Sequence, residues 1–140
     1  MSAGEVRQLL GRRTFDSYYK FCFERNPWDK VVSDYFWVNR SGEYRDLDDF
    51  FTRYKLKSDF KRYTIDGKPV VDFIGRYEHL LDDLEKVTVR LGIPFDRWLP
   101  RAKGGHRDPR AHYRELLSPA QRDLIAERFK REIELMDYEF

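Results

Sequence analysis

Between Lys20 and Trp37 the spacing of apolar residues changes. Phe21, Cys22 and Phe23 are contiguous, as in a buried strand, and the run stops at Arg25-Asn26-Pro27. Trp28, Val31, Val32, Tyr35 and Phe36 then recur at helical spacing, with Pro27 in the first turn, where a missing N–H leaves nothing unpaired. The pattern predicts a strand over Lys20 to Glu24 that gives way to a helix. Its apolar stripe is expected to face a sheet, with Asn26, Lys30, Ser33 and Trp37 on the neighbouring face. Arg25 then stands at the carboxyl end of a strand, beside the N–H groups of a helix N-terminus. Ser33 follows about two turns along, and together they make an anion site. The same residues also allow a plainer arrangement, a surface arginine paired with Asp29.

Other segments follow the same two periods. Ser2 to Gly11 has a capping box, Ser2 with Glu5, an apolar face of Val6, Leu9 and Leu10, and a terminal glycine, and predicts a short helix. Arg12 to Ser17 is expected to be a link. Asp46 caps a helix carrying Leu47, Phe50, Phe51 and Tyr54, and the cations Lys55, Lys57, Lys61 and Arg62 after it make a solvated face. Arg62 to Ile65 and Pro69 to Ile74 flank Asp66-Gly67, a hairpin signal, and Val70 to Ile74 is the better candidate for a sheet interior. Gly75 closes that strand. Glu78 to Leu91 is an amphipathic helix, with Leu80, Leu81, Leu84, Val87 and Leu91 inward and Gly92 as its cap. Ser118-Pro119-Ala120-Gln121 starts a last helical run that carries Leu124, Ile125, Phe129, Ile133 and Met136. Strands alternating with helices predict an α/β domain, a short parallel sheet flanked by helices.

Composition narrows the possibilities. The 140 residues suffice for one domain, 27 basic against 25 acidic side chains give a formal charge of +2, and bulk charge therefore gives no argument for nucleic acid. A 16% aromatic content supplies core despite 37% charged residues. The lone Cys22 permits no internal disulfide and fits a reducing compartment. Apolar runs fall short of the roughly 20 residues of a membrane span, and a soluble cytoplasmic protein is expected. The most basic stretch, Phe95 to His112, holds Arg97, Arg101, Lys103, His106, Arg107, Arg110 and His112 around Gly104-Gly105. A glycine pair flanked by cations can wrap phosphate, and it can equally be a solvated loop.

Arg25-Asn26-Pro27-Trp28-Asp29-Lys30-Val31-Val32-Ser33-Asp34-Tyr35 resembles the RNPxxRxxSxY motif of sulfotransferases, especially the membrane-bound and bacterial carbohydrate type. Phe73-Ile74-Gly75-Arg76-Tyr77-Glu78-His79-Leu80, ending at Leu91-Gly92-Ile93-Pro94, is similar to a second segment of that family, and Glu132 to Phe140 to its terminal DIELFGYxF. Leu99-Pro100 match a third pattern, Leu-Pro-His-x-Asn, in which Arg101 and Lys103 replace the histidine and asparagine. The resemblance implies a partial three-layer sulfotransferase-type fold, of the P-loop NTPase-like kind, as a single incomplete domain over 1–140. It implies phosphoadenosine phosphosulfate (PAPS) or adenosine 3′,5′-bisphosphate as the nucleotide and a carbohydrate hydroxyl as acceptor. Arg25 and Ser33 match the ligands of the 3′-phosphate, Tyr77 a residue near the adenine, and Lys103, Gly104 and Arg107 a loop over the phosphates. A core tyrosine at a strand end is the alternative for Tyr77.

The family's PKTG-like loop and its substrate-side histidine have no match here, and the resemblance places both before Met1. None of His79, His106 and His112 stands at the family's base position, so no catalytic residue is assigned, and weak activity or none is expected of this chain alone. Two other functions fit parts of the sequence. One is a non-catalytic interaction module, a homo-oligomer. The other is a nucleic-acid binder using Arg97 to Arg114, ranked last because the net charge is close to neutral.

Overall fold

Residues 1–100 and 112–140 are described in a computed structural model. Its elements in chain order are α1 (Ala3–Leu10), α2 (Arg12–Ser17), β1 (Phe21–Glu24), α3 (Pro27–Val38), α4 (Leu47–Arg53), α5 (Phe60–Tyr63), β2 (Thr64–Ile65), β3 (Lys68–Pro69), β4 (Phe73–Arg76), α6 (Leu80–Leu91), α7 (Tyr113–Leu116), α8 (Pro119–Arg128) and α9 (Lys130–Met136). They fall into two units, Met1–Glu24 with Ser58–Trp98, and Arg25–Lys57 with Leu99–Phe140. Among the described residues no helix is long and apolar enough to cross a membrane.

The first unit holds the parallel sheet that the alternation of strands and helices predicts. β1 and β4 pair in parallel, Phe21 against Phe73 through Glu24 against Arg76. Asp72 fixes the register at its start: its carboxylate accepts the Lys20 amide at 2.8 Å, and its own amide donates to the Lys20 carbonyl at 2.7 Å. α6 packs on β4. Its inward face is narrower than predicted, because Val87 is buried while Leu81 and Leu91 are exposed.

The hairpin forms with Asp66 at φ 52° and Gly67 at φ 75°, the left-handed pair that a two-residue turn needs, but each arm is two residues long. The apolar stretch beyond Pro69 leaves the hairpin after the Val70 amide donates to Tyr63 O, and it supplies the parallel strand instead. α1 has its capping box, yet turns Ala3 inward and leaves Leu9 exposed. The predicted link at 12–17 is a helix. The Gly11 carbonyl accepts the Phe15 amide at 3.0 Å, and burial of the Phe15 ring holds that turn.

The second unit is helical. Val31 and Val32 of α3 are buried, the Trp28 indole N–H donates to the Arg122 carbonyl of α8 at 3.0 Å, and Tyr35 meets Phe50 of α4 edge-on at 5.4 Å. Asp46 caps α4 by accepting the Asp49 amide at 2.9 Å. Ser118 and Gln121 form the capping box of α8, and the Gln121 amide group donates to Asp48 at 2.7 Å. The C-terminal helical run breaks at Phe129 into α8 and α9. The chain end folds back, with Phe140 edge-on to Trp28 at 5.5 Å and to Tyr113 at 5.6 Å.

Candidate functional site

Arg25 and Ser33 both belong to the second unit. Arg25 directly follows β1 in the chain, and α3 begins two residues later. Its guanidinium lies against Asp29, with Nε at 2.6 Å and Nη2 at 2.5 Å from the same oxygen, Oδ2. The plain ion pair that the sequence allows is therefore formed. It is largely shielded, the side chains being 25% and 22% exposed, so salt screens it less than a surface pair.

That pair also fixes where Arg25 points. Ser33 lies four residues beyond Asp29 in an unbroken helix, which puts their Cβ atoms about 5–6 Å apart on one face. Ser33 itself is partly exposed. Ser33 thus lies on the same face of α3 as Asp29, the residue that pairs with Arg25.

One expectation is corrected. The first-turn amides of α3 do not face an incoming anion, because Asn26 Oδ1 accepts from Trp28 N at 3.1 Å and Asp29 N at 3.4 Å, and Asn26 O accepts from Lys30 N at 2.8 Å. Pro27 has no N–H to offer. Asn26 is itself tied down, its Nδ2 donating to the Glu139 carbonyl at 2.9 Å. An anion here meets side chains, not a bare helix end.

Tyr77 lies in the first unit, directly after β4, and is 48% exposed. It is therefore not the core tyrosine that the alternative describes. Lys103, Gly104 and Arg107 lie outside the described residues, as does His106. His79 is exposed, and His112 Nδ1 accepts the Arg114 amide at 3.3 Å as the cap of α7. Among the described residues no group of three or more metal-binding side chains is assembled.

Two features of the structure went unread in the sequence. Asp83 is buried on the inner side of α6, where it accepts the Arg76 amide at 2.7 Å and the Lys86 ammonium at 2.6 Å, bracing the turn that carries Tyr77. The signal was available, since Asp83 shares the face of Leu80 and Val87. The second feature is an open cleft of about 520 Å³ in the second unit, lined by Phe51, Tyr54, Lys55, Leu56, Leu124 and Arg128 among others. No periodicity marks it, because its walls come from α4, the segment after it and α8.

No family model and no solved structure matches the chain. It is similar to an uncharacterized protein of Archaeoglobus fulgidus, 40% identical over 104 residues, which spans 67% of this chain and 84% of that protein.

Proposed function

The chain belongs to one family with the Archaeoglobus fulgidus protein, and we propose that it is the nucleotide-holding part of a PAPS-dependent carbohydrate sulfotransferase. In this reading Arg25 and Ser33 grip the ribose 3′-phosphate of PAPS or of adenosine 3′,5′-bisphosphate. The observation that carries the proposal is that Asp29, the partner of Arg25, and Ser33 stand one helical turn apart on α3. Arginine suits the task because its planar fork matches phosphate oxygens and stays charged at any working pH. The hydroxyl adds a donor at a fixed place on a helix.

The short parallel sheet of an α/β chain supports the reading at the level of fold class, and we propose Tyr77 as an adenine contact and Lys103, Gly104 and Arg107, which lie outside the described residues, as phosphate contacts. Sulfuryl transfer depends on positive groups at the transferring and leaving oxygens. What this chain contributes is the grip that orients the nucleotide, and the acceptor is a carbohydrate hydroxyl.

Titration calorimetry with adenosine 3′,5′-bisphosphate tests the reading. A charge-assisted contact contributes about 1.5–3 kcal/mol, so Arg25→Ala is expected to weaken binding about ten- to a hundredfold. Ser33→Ala, which loses a neutral contact, weakens it about fivefold. Absence of binding at millimolar ligand, or an Arg25→Ala protein that binds as well as wild type, overturns it.

A further inference from the structure

We infer that the cleft in the second unit is a binding site for a small aromatic carboxylate; the site shares no residue with Arg25 and Ser33 and does not rest on how they are read. The cleft is open and encloses about 520 Å³. That is the size of small-molecule sites, which are largely apolar with a few polar groups to orient the ligand. Its apolar walls are held in place by the core beneath them. The Tyr54 ring stacks on Phe50 at 4.6 Å with 19° between the planes, and Phe51 meets Phe50 edge-on at 5.6 Å. Phe50 is fully buried, so both wall rings stand on a fixed support. Leu56 is buried and Leu124 is 46% exposed, which gives the cleft apolar surface both at depth and at its mouth.

The polar side chains select the sign of the ligand. Arg128 donates from Nε and from Nη2 to the Leu56 carbonyl, each at 3.2 Å. These bonds tie α8 to the segment after α4 and fix the guanidinium at the cleft, while a neutral carbonyl leaves its charge uncancelled. Lys55 is exposed, and among the described residues neither Lys55 nor Arg128 forms an ion pair. Lys57 stands close by, its Nζ 5.8 Å from the Tyr54 ring centroid. The acids set against these cations are Glu127 in the wall and Asp34, whose charge reaches Tyr54. The balance is positive, and an aromatic carboxylate answers both halves of the cleft. Its ring lies against Phe51, Tyr54 and the leucines, and its carboxylate accepts from Lys55 and from the guanidinium, whose planar donors match that group.

Titration calorimetry of the full chain with naphthoate, naphthamide and acetate tests the assignment, with a melting curve for each variant. Naphthoate is expected to bind at least about tenfold more tightly than the neutral amide, the effect of one charge-assisted contact. Acetate, which has no ring, is expected not to bind at the same concentrations. Lys55→Gln weakens naphthoate about threefold and leaves the amide unchanged. Leu124→Glu, at an exposed position of α8, brings a like charge to the mouth and weakens naphthoate about tenfold or more. If Leu124→Glu lowers the melting temperature, Lys55→Gln carries the comparison alone. An amide that binds as tightly as naphthoate, or naphthoate binding that Lys55→Gln leaves unmoved, overturns the assignment. So does absence of naphthoate binding at millimolar concentration. None of these results bears on Arg25 and Ser33, which adenosine 3′,5′-bisphosphate tests separately.

Discussion

Gly75 of β4 and Phe23 of β1 approach so closely that a Cβ at the glycine falls 2.5 Å from Cε1 and 2.7 Å from Cδ1 of the ring. The two residues are paired in register in the parallel sheet, and Asp83 Cβ closes the other side at 3.2 Å. The glycine is thus required for lack of a side chain; its backbone is extended, and no left-handed turn is involved.

Gly75→Ala therefore forces the ring or the strand to shift. Overpacking of this kind costs about 1–3 kcal/mol. Urea unfolding of the variant against wild type measures it, and equal midpoints contradict the close approach.

Asp83 gives the protein an acid limb. Burial pushes its carboxyl up, but the Lys86 ammonium and the Arg76 amide outweigh that and hold it below the usual range. A carboxyl lowered by folding binds fewer protons in the native chain than in the unfolded one. Its stabilisation is therefore present above about pH 4 and is lost as the pH falls through the folded value. Asp83→Asn is expected to lower stability at pH 7 and to flatten the loss below about pH 4. Urea melts across that range check it, and an unchanged acid limb counts against the brace.

Cys22 is predicted to be unreactive at neutral pH. Desolvation, with the nearby Glu24 charge adding to it, pushes the thiol up to about 12, and the thiolate is the attacking species. Iodoacetamide at pH 8 should label native protein at least about a hundredfold more slowly than urea-unfolded protein. Comparable rates would show that the strand is open to solvent.

Much of this architecture was legible because it is local. Capping boxes at Ser2 and Ser118, the Asp46 cap and the Asp66-Gly67 turn depend on residues three or four apart, and each forms as read. The parallel pairing was visible as a class but not in register. That register rests on Asp72 meeting Lys20 across fifty-two positions and on the gap at Gly75. In the site, the Arg25–Asp29 ion pair that the sequence allows is formed. The loss of the α3 amides to Asn26 was not legible, because Asn26 was assigned to a side face when it is the cap. The Phe129 break was equally hidden, since apolar spacing continues through it.

The central claim is that Arg25 and Ser33 recognise a 3′-phosphate, and the direct measurement compares adenosine 3′,5′-bisphosphate with adenosine 5′-monophosphate by titration calorimetry. Wild type is expected to prefer the bisphosphate by about tenfold or more, one charge-assisted contact's worth, and Arg25→Ala to lose the preference. Equal affinities for the two nucleotides in the wild-type protein would contradict it.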